Sequence, residues 1–236
     1  MDIILALVIS VVFACALRNA IRAHPAVFYL IATAIVAAFA ALSFGGDIPA
    51  LARIAYPYVQ RCLLAFGLIA VVMFIGVLPE ASKARTYLAP IRGELSIIAA
   101  ILAIGHVVNY LASYAGQFAS RLGNMPTTMI ASFAVSFLLV ALLAALTATS
   151  IQAVRKRMSG EAWKRIQRLA YPFFLLVFVH VLLILGPSAS GFGQKASTSI
   201  IVYTVLFGSY CVLRIGKAIR ERSTQTSKAS SIPARE

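Results

Sequence analysis

The sequence predicts an all-α, polytopic membrane bundle of about seven transmembrane helices. Two observations support this fold class. Hydrophobic residues make up 61% of the 236-residue chain and charged residues only 12%, whereas about one quarter of a soluble domain is charged. The apolar residues are also grouped into runs long enough to cross a hydrocarbon core of about 30 Å. A chain with this composition has lipid as its main solvent.

Seven apolar runs follow one another along the chain, joined by short polar segments. They cover residues 2–17, 25–45, 62–79, 94–116, 127–151, 169–186 and 197–213. The first run is the shortest, but Asp2 precedes it and Arg18 and Arg22 follow it, an order typical of an uncleaved helix rather than a signal peptide. After residue 214 the chain is polar and rich in serine, which predicts a disordered basic tail over residues 215–236.

The 21 lysines and arginines indicate how these helices are oriented. If the N-terminus lies outside, 17 of them fall on cytoplasmic segments and only four on outer ones. Basic residues collect in cytoplasmic loops, so the sequence predicts a multi-pass protein of the inner or plasma membrane with an outer N-terminus and a cytoplasmic C-terminus. The same rule explains the formal net charge of +14. Membrane lipid, and not nucleic acid, is therefore the predicted partner.

Two of the three histidines lie inside apolar runs. His106 lies 14 residues after Arg92, and His180 lies 12 residues after Arg168. At about 1.5 Å per residue, both rings are predicted about 18–21 Å from the cytoplasmic edge of their helices. Ionisable residues at such depth are default candidates for a functional site. Two histidines at the same depth on different helices predict a single ligand bound between them.

The residues on the same helix faces fit a flat, bulky ligand. Those near His106 are mostly small and those near His180 are large and apolar: Ser96, Ala99, Ala103, Tyr110 and Ser113 for the former, and Phe173, Leu176, Val177 and Ile184 for the latter. A haem fits this description, because imidazole is a common axial ligand of its iron. Each histidine could instead be a structural residue that bonds to a neighbouring helix. Zinc fits less well, since two histidines alone do not complete a tetrahedral site.

Two stretches of the chain carry a family resemblance. "RGELSIIAAILAIGHVVNYL" and "LLAALTATSIQAVRKRMSGEAWKRIQRLAYPFFLLVFVHVLLILG" resemble the ferric reductase-like transmembrane domain family, and within it the haem-binding membrane subunits paired with periplasmic methionine sulfoxide reductases. The resemblance covers residues 62–190. It implies a six-helix haem-binding domain, here residues 25–214, preceded by an extra N-terminal helix over residues 1–24. It also implies that His106 and His180 are the axial ligands of a haem b.

One departure from the family pattern limits the expected haem content. Many relatives carry a second histidine nearer the cytoplasm on each of these two helices. At the corresponding positions this chain reads Arg92-Gly93 and Ile166-Gln167. The resemblance therefore implies a single bis-histidine haem.

Four other residues are candidates for contacts at this site. Tyr110 and Asn109 lie one turn beyond His106 and are candidates for contact with haem edges or propionates. Arg121, in the predicted outer loop, is a candidate for pairing with a propionate. His24, at the cytoplasmic start of the second run, is a candidate substitute ligand, and the alternative is a histidine at the membrane interface.

The predicted function is electron transfer across the membrane, as a component of an oxidoreductase. "GFGQKA", residues 191–196, matches G-x-G-x-x-A, but no strand precedes it, so we expect no nicotinamide or flavin domain. Electrons are expected from a separate cytoplasmic flavoprotein or a membrane quinol. They would leave toward an outer-side acceptor such as a ferric chelate or a partner reductase. A transporter or channel and a redox-inactive accessory subunit are the alternatives, and the lack of deep carboxylates disfavours transport.

Overall fold

A computed structural model gives an all-helical chain, as the sequence predicts. It describes residues 2–45, 49–121 and 125–230, without the side chains of residues 44, 45, 51, 115–121 and 224–230. The described residues form helices, one 3₁₀ turn and no strand. The helices are α1 (Asp2–Ala16), α2 (Arg18–Ala23), α3 (Pro25–Gly45), α4 (Ala50–Gln60), α5 (Leu63–Val77), α6 (Lys83–Leu88), α7 (Arg92–Arg121), α8 (Thr127–Ser150), α9 (Gln152–Arg155), α10 (Gly160–Gln167), α11 (Ala170–Ser190) and α12 (Gln194–Ser230), and the 3₁₀ turn is Ala89–Ile91.

Each of the seven predicted runs coincides with a helix, but the described residues support five or six membrane spans rather than seven. Five segments are long and apolar enough to cross alone, and a sixth arises if α4 and α5, which meet at 53°, count as one broken span. α1 contains only 15 residues, about 22 Å at 1.5 Å per residue. That length is short of the hydrocarbon core of about 30 Å. The chain is a multi-pass membrane protein in which α1 is a short bundle helix.

The long helices alternate in direction around α5. α1 runs parallel to α5, because Asp2 lies 3.7 Å from Arg61 where both helices begin. α7 runs antiparallel to α5, because Arg92 at its start lies beside Gly76 near the end of α5. We call the end of the bundle that holds Arg92 the basic end and the end that holds Arg61 the opposite end.

The other helices continue this alternation. α3 is parallel to α7, with Val36 against Gly105. α8 is antiparallel to α11, because Ser132 near the start of α8 contacts His180 at the middle of α11, while Thr149 near the end of α8 bonds Gln167 just before α11 begins. α12 is parallel to α5, and successive ring pairs join them: Phe66 with Tyr203 at 5.0 Å between centroids, and Phe74 with Tyr210 at 5.7 Å.

α5 is the central helix because it belongs to both apolar clusters of the bundle. Leu68 and Ile75 pack with α3 and α7, while Phe66 packs with Phe174 and Phe207 of α11 and α12. The outward faces are apolar as well, which suits a lipid environment. Residues on these faces with 70% of their surface exposed include Leu30, Phe137 and Val212.

The last helix extends beyond the predicted transmembrane run. α12 continues to Ser230, whereas the sequence predicts disorder from residue 215. Lys217 and Glu221, one turn apart, form an ion pair at 3.8 Å, a spacing that supports an exposed helix. Residues 231–236 of the predicted tail lie outside the described residues.

The packing of α1 on α5 depends on a glycine, and this generates a prediction. A Cβ at Gly67 would lie 3.0 Å from the carbonyl oxygen of Ala6 and from Cβ of Ser10. We expect Gly67→Ala to lower the free energy of unfolding by about 1–3 kcal/mol, the usual cost of overpacking. The thermal unfolding midpoint in detergent measures this change.

The matched control is Gly208→Ala, since nothing lies within 4 Å of a Cβ at Gly208. There we expect unchanged or slightly raised stability, by about 0.5–1 kcal/mol, because alanine favours helix over glycine. Equal stability of the two variants would contradict the close packing of α1 on α5.

Candidate functional site

The candidate site begins at the break between α4 and α5. Cys62 adopts a left-handed conformation with φ of 60° and separates the two helices. α4 ends at Gln60 and α5 restarts at Leu63, so the Gln60 carbonyl stands outside both helical hydrogen-bond ladders. In a lipid environment an unsatisfied carbonyl costs several kcal/mol. The break therefore creates an acceptor that requires a donor from another helix.

His106 of α7 supplies that donor. Its Nδ1 is hydrogen-bonded to the Gln60 carbonyl oxygen. A carbonyl oxygen only accepts, so Nδ1 carries the proton and Nε2 keeps its lone pair. The ring also packs against Tyr110, with 4.8 Å between centroids and 52° between planes. The backbone break thus fixes both the tautomer and the position of His106.

His180 of α11 is held in a similar way by two serines of α8. Its Nδ1 lies 3.2 Å from Oγ of Ser132 and 3.3 Å from Oγ of Ser136. The Ser136 hydroxyl donates its proton to the Ser132 carbonyl at 2.8 Å, so its oxygen can only accept from the imidazole. Bonded to Ser136 in this way, His180 carries its proton on Nδ1 and keeps a lone pair on Nε2, as His106 does.

The structure brings the two imidazoles together from different helices. His180 is close enough to His106 for the two rings to interact electrostatically. Among the described residues, neither Nε2 has a hydrogen-bond partner, while each Nδ1 donates to an oxygen. A metal-binding histidine is typically arranged this way, with one nitrogen held by an acceptor and the other left for the metal.

This donor set fits the axial ligation of a haem iron better than a protein-only metal site. Two neutral imidazoles can serve as the two axial ligands of a haem iron. The porphyrin supplies the other four nitrogen ligands, so the protein needs to supply only these two. In the part of the chain that the structure describes, no three His, Cys, Asp or Glu residues lie together as a metal site.

Tyr110 and Asn109, the two other candidate site residues on α7, have different surroundings. Tyr110 lies against His106 and is 37% exposed. Asn109 instead donates its amide to Ser43 Oγ at 3.3 Å and to Tyr56 Oη at 3.4 Å, which ties α7 to α3 and α4. The structure gives Asn109 this interhelical role, and its contact with a haem stays a prediction.

Two further candidates are not at the histidine pair. His24 is exposed at the turn between α2 and α3, on the basic end. The side chain of Arg121 lies outside the described residues, so its pairing with a propionate stays a prediction.

The small residues predicted to face a ligand pack against other helices. Ala99 and Ala103 are 0% and 7% exposed and belong to the apolar cluster of α3, α5 and α7. On α11, Phe173 is buried, whereas Ile184 is 51% exposed. At Ala99 and Ala103, the small face of α7 therefore packs against other helices.

At the basic end, Gln167 stands where many relatives of the resembled family carry a histidine. Its Nε2 donates to Thr149 Oγ1 at 2.8 Å, and Trp163 Nε1 donates to the Thr149 carbonyl at 3.0 Å. These bonds fix α10 against the end of α8, so Gln167 has a structural role here.

Sequence reasoning missed the oxygens that hold the two histidines. Ser132 and Ser136 are spaced by four residues in an otherwise apolar run, and that pair of hydroxyls on one helix face was an available signal. The Gln60 carbonyl had no such signal, because it is a backbone group exposed by a break within a segment predicted as a loop.

The sequence matches the family described as "Ferric reductase like transmembrane component" over residues 61–179. This match covers half of the chain. The chain belongs to the ferric reductase-like transmembrane family. The matched region holds His106 and both serines and ends one residue before His180. Membership indicates a membrane electron-transfer component.

One curated relative adds little about function. The chain is similar to an uncharacterized protein of Treponema pallidum (strain Nichols), with 31% identity over 236 aligned residues. The alignment covers 99% of this chain and 65% of that protein. The chain thus spans about two thirds of the length of that relative. No solved structure matches the chain.

The hydrogen bonds at the site predict the tautomer of each histidine. In protein without a bound metal, we expect His106 and His180 to carry the proton on Nδ1, because His106 faces a carbonyl oxygen and His180 faces the Ser136 hydroxyl, whose own proton is donated to the Ser132 carbonyl. Nitrogen-15 NMR of histidine-labelled protein measures this directly, and three histidines can be assigned with single variants.

Replacement of Ser136 by alanine is the companion test. It should change the signals of His180 and leave those of His106 in place. A proton found on Nε2 of either ring would contradict the geometry described above.

Proposed function

We propose that this ferric reductase-like protein is a haem b membrane cytochrome that carries single electrons across the membrane. The donor binds at the basic end, which is cytoplasmic, and the acceptor binds at the opposite end. The observation that supports the proposal is the convergence of two neutral imidazoles from α7 and α11, each with Nδ1 bonded to an oxygen. Nε2 of His106 and Nε2 of His180 would hold the iron of one haem. When bound, such a haem supplies a one-electron carrier.

The chain's own residues prepare the site for that role. Gln60, Ser132 and Ser136 hold the Nδ1 protons of the two rings, so the imidazoles present lone pairs without a deprotonation step. Because the acceptors sit on α4 and α8, both rings are fixed by helices other than their own. Hydrogen bonds of this kind also raise the basicity of a ligating imidazole, which is one of the levers that tune a haem potential.

The partners are part of the proposal. The donor is a cytoplasmic flavoprotein or a membrane quinol, and the acceptor is a ferric chelate or a partner reductase outside. The excess of basic residues at one end supports the assignment of that end to the cytoplasm.

Four single substitutions, one of them a control, test the haem assignment. His106→Ala and His180→Ala should abolish haem retention, because each removes one axial ligand. His24→Ala is the matched control and should keep its haem, since His24 lies exposed at the basic end. Ser136→Ala should weaken haem retention about 10-fold, the typical effect of losing a bond to a metal ligand. Reduced-minus-oxidised absorption spectra of the purified proteins provide the measurement.

Wild-type protein that remains colourless when made with ample haem would contradict the proposal. Ion or solute flux through haem-free protein in liposomes would favour a transporter instead. Retained haem that no donor reduces would favour an accessory subunit.

The face of α10 offers a docking surface for an acidic flavoprotein, and this yields a further prediction. Lys164, Arg165 and Arg168 line a shallow depression there together with Glu161. Charge reversal of Lys164 and Arg165 to glutamate should slow haem reduction by an acidic flavoprotein about 10-fold at low salt, and the effect should shrink as salt screens the charges.

Lys195→Glu is the control for this test, because the exposed Lys195 lies near the start of α12 at the opposite end. Haem reduction by a quinol should not change in either variant. Equal slowing by the Lys195 variant, or no effect of the reversal on the flavoprotein, would contradict docking at α10.

A further inference from the structure

A buried hydroxyl without a partner marks a second site at the basic end. Tyr210 of α12 is 4% exposed, and its Oη has no hydrogen-bond partner among the described residues. Its ring is fixed by Phe74 at 5.7 Å and Phe174 at 4.9 Å between centroids. Buried polar groups nearly always have partners, so an unpaired one calls for an explanation such as a bound ion or ligand.

Cations converge beside this hydroxyl from two helices. Arg92 Nη2 lies 3.6 Å from the position that a Cβ on Gly76 would take. Lys217 donates to the Gly76 carbonyl at 2.8 Å, with only 13% of its side chain exposed. Arg92 and Lys217 thus both lie against Gly76 near the end of α5. Together with Arg214 they form a set that we call the cationic cluster.

The two tyrosines of this region belong to the same neighbourhood. Arg214 lies over the ring of Tyr171, 4.7 Å from its centroid. The Tyr210 hydroxyl is within electrostatic range of both Arg92 and Arg214. The guanidinium groups of Arg92 and Arg214 therefore lie near the same phenol, and Lys217 bonds to the same turn of α5 that Arg92 contacts.

Negative charge is scarce around the cluster. Glu221 is the carboxylate nearest to Lys217, at 3.8 Å, and it is 54% exposed. Glu80 is also within electrostatic range of Lys217, but its ion pair, at 3.2 Å, is with Arg85. Among the described residues no carboxylate pairs with Arg92 or Arg214. Cations held near one another in a partly buried place repel each other, and a bound anion would offset that repulsion.

The surroundings of the cationic cluster favour an amphiphilic anion as its ligand. Residues of α12 that flank Arg214 and Lys217 expose large apolar side chains, with exposed fractions of 70%, 60% and 62% for Val212, Ile215 and Ile219. Acyl chains can cover such a surface, whereas a free anion leaves it bare. Basic pockets between transmembrane helices on the cytoplasmic side are known to bind anionic lipid head groups, and arginine matches the oxygens of a phosphate.

We propose that the cationic cluster binds the phosphate of an anionic phospholipid, with Arg92, Arg214 and Lys217 as the charged contacts and the Tyr210 hydroxyl as an additional donor. The lipid holds the ends of α5, α7 and α12 together at the basic end. This site is separate from the histidine pair, and neither requires the other.

Thermal unfolding of the full chain in detergent, with added lipid, tests the proposal. Phosphatidylglycerol should raise the unfolding midpoint in a concentration-dependent way, because a ligand of the native state stabilises it. Phosphatidylcholine and inorganic phosphate are the comparison arms. Equal stabilisation by phosphatidylcholine would overturn the requirement for a net anionic head group, and equal stabilisation by phosphate would replace the lipid with a free anion.

Two substitutions locate the site. Tyr210→Phe removes a hydroxyl that has no protein partner, so the variant should fold as well as the wild type and bind phosphatidylglycerol about tenfold more weakly. Arg92→Gln should weaken binding at least as much. Arg157→Gln removes an exposed charge from the same end, outside the cluster, and should leave binding unchanged. Unchanged binding in Tyr210→Phe, or an equal loss in Arg157→Gln, would overturn the assignment.

Discussion

A backbone group in lipid must find its hydrogen-bond partner within the protein, and the carbonyl of Gln60 shows how much this structure depends on that constraint. The bend between α4 and α5 frees this oxygen in an apolar environment. His106 satisfies it from α7. That one bond explains why a polar ring is tolerated at this depth, fixes its tautomer and directs its second nitrogen away from the break. The same logic applies at His180, where the acceptors are the two serine hydroxyls of α8.

The bundle separates two kinds of chemistry along its length. Neutral, hydrogen-bonded imidazoles lie toward the opposite end, whereas cations accumulate at the basic end. α5 connects the two, since the break before its first residue receives His106 and Gly76 near its last turn receives Lys217. A displacement of α5 would therefore disturb both regions. The close packing of α1 on Gly67 restrains such a displacement.

The sequence predicted much of this arrangement because its main signals are strong. Long apolar runs and the asymmetry of lysine and arginine give the helices and their alternation, and depth counting pairs His106 with His180. Other features depend on contacts that a single sequence does not encode. The roles of Ala99 and Asn109 follow from which helix lies opposite, and the shortness of α1 follows from a bend at Leu17. The helical extension to Ser230 was missed because serine-rich composition outweighed the support from the Lys217–Glu221 pair.

In the proposed cytochrome both histidines bind a single iron. The electron paramagnetic resonance spectrum of the oxidised, haem-loaded protein tests it most directly. We expect a low-spin ferric signal typical of two imidazole ligands, which disappears when either His106 or His180 is replaced. A high-spin signal, or a low-spin signal that survives the loss of His180, would contradict it.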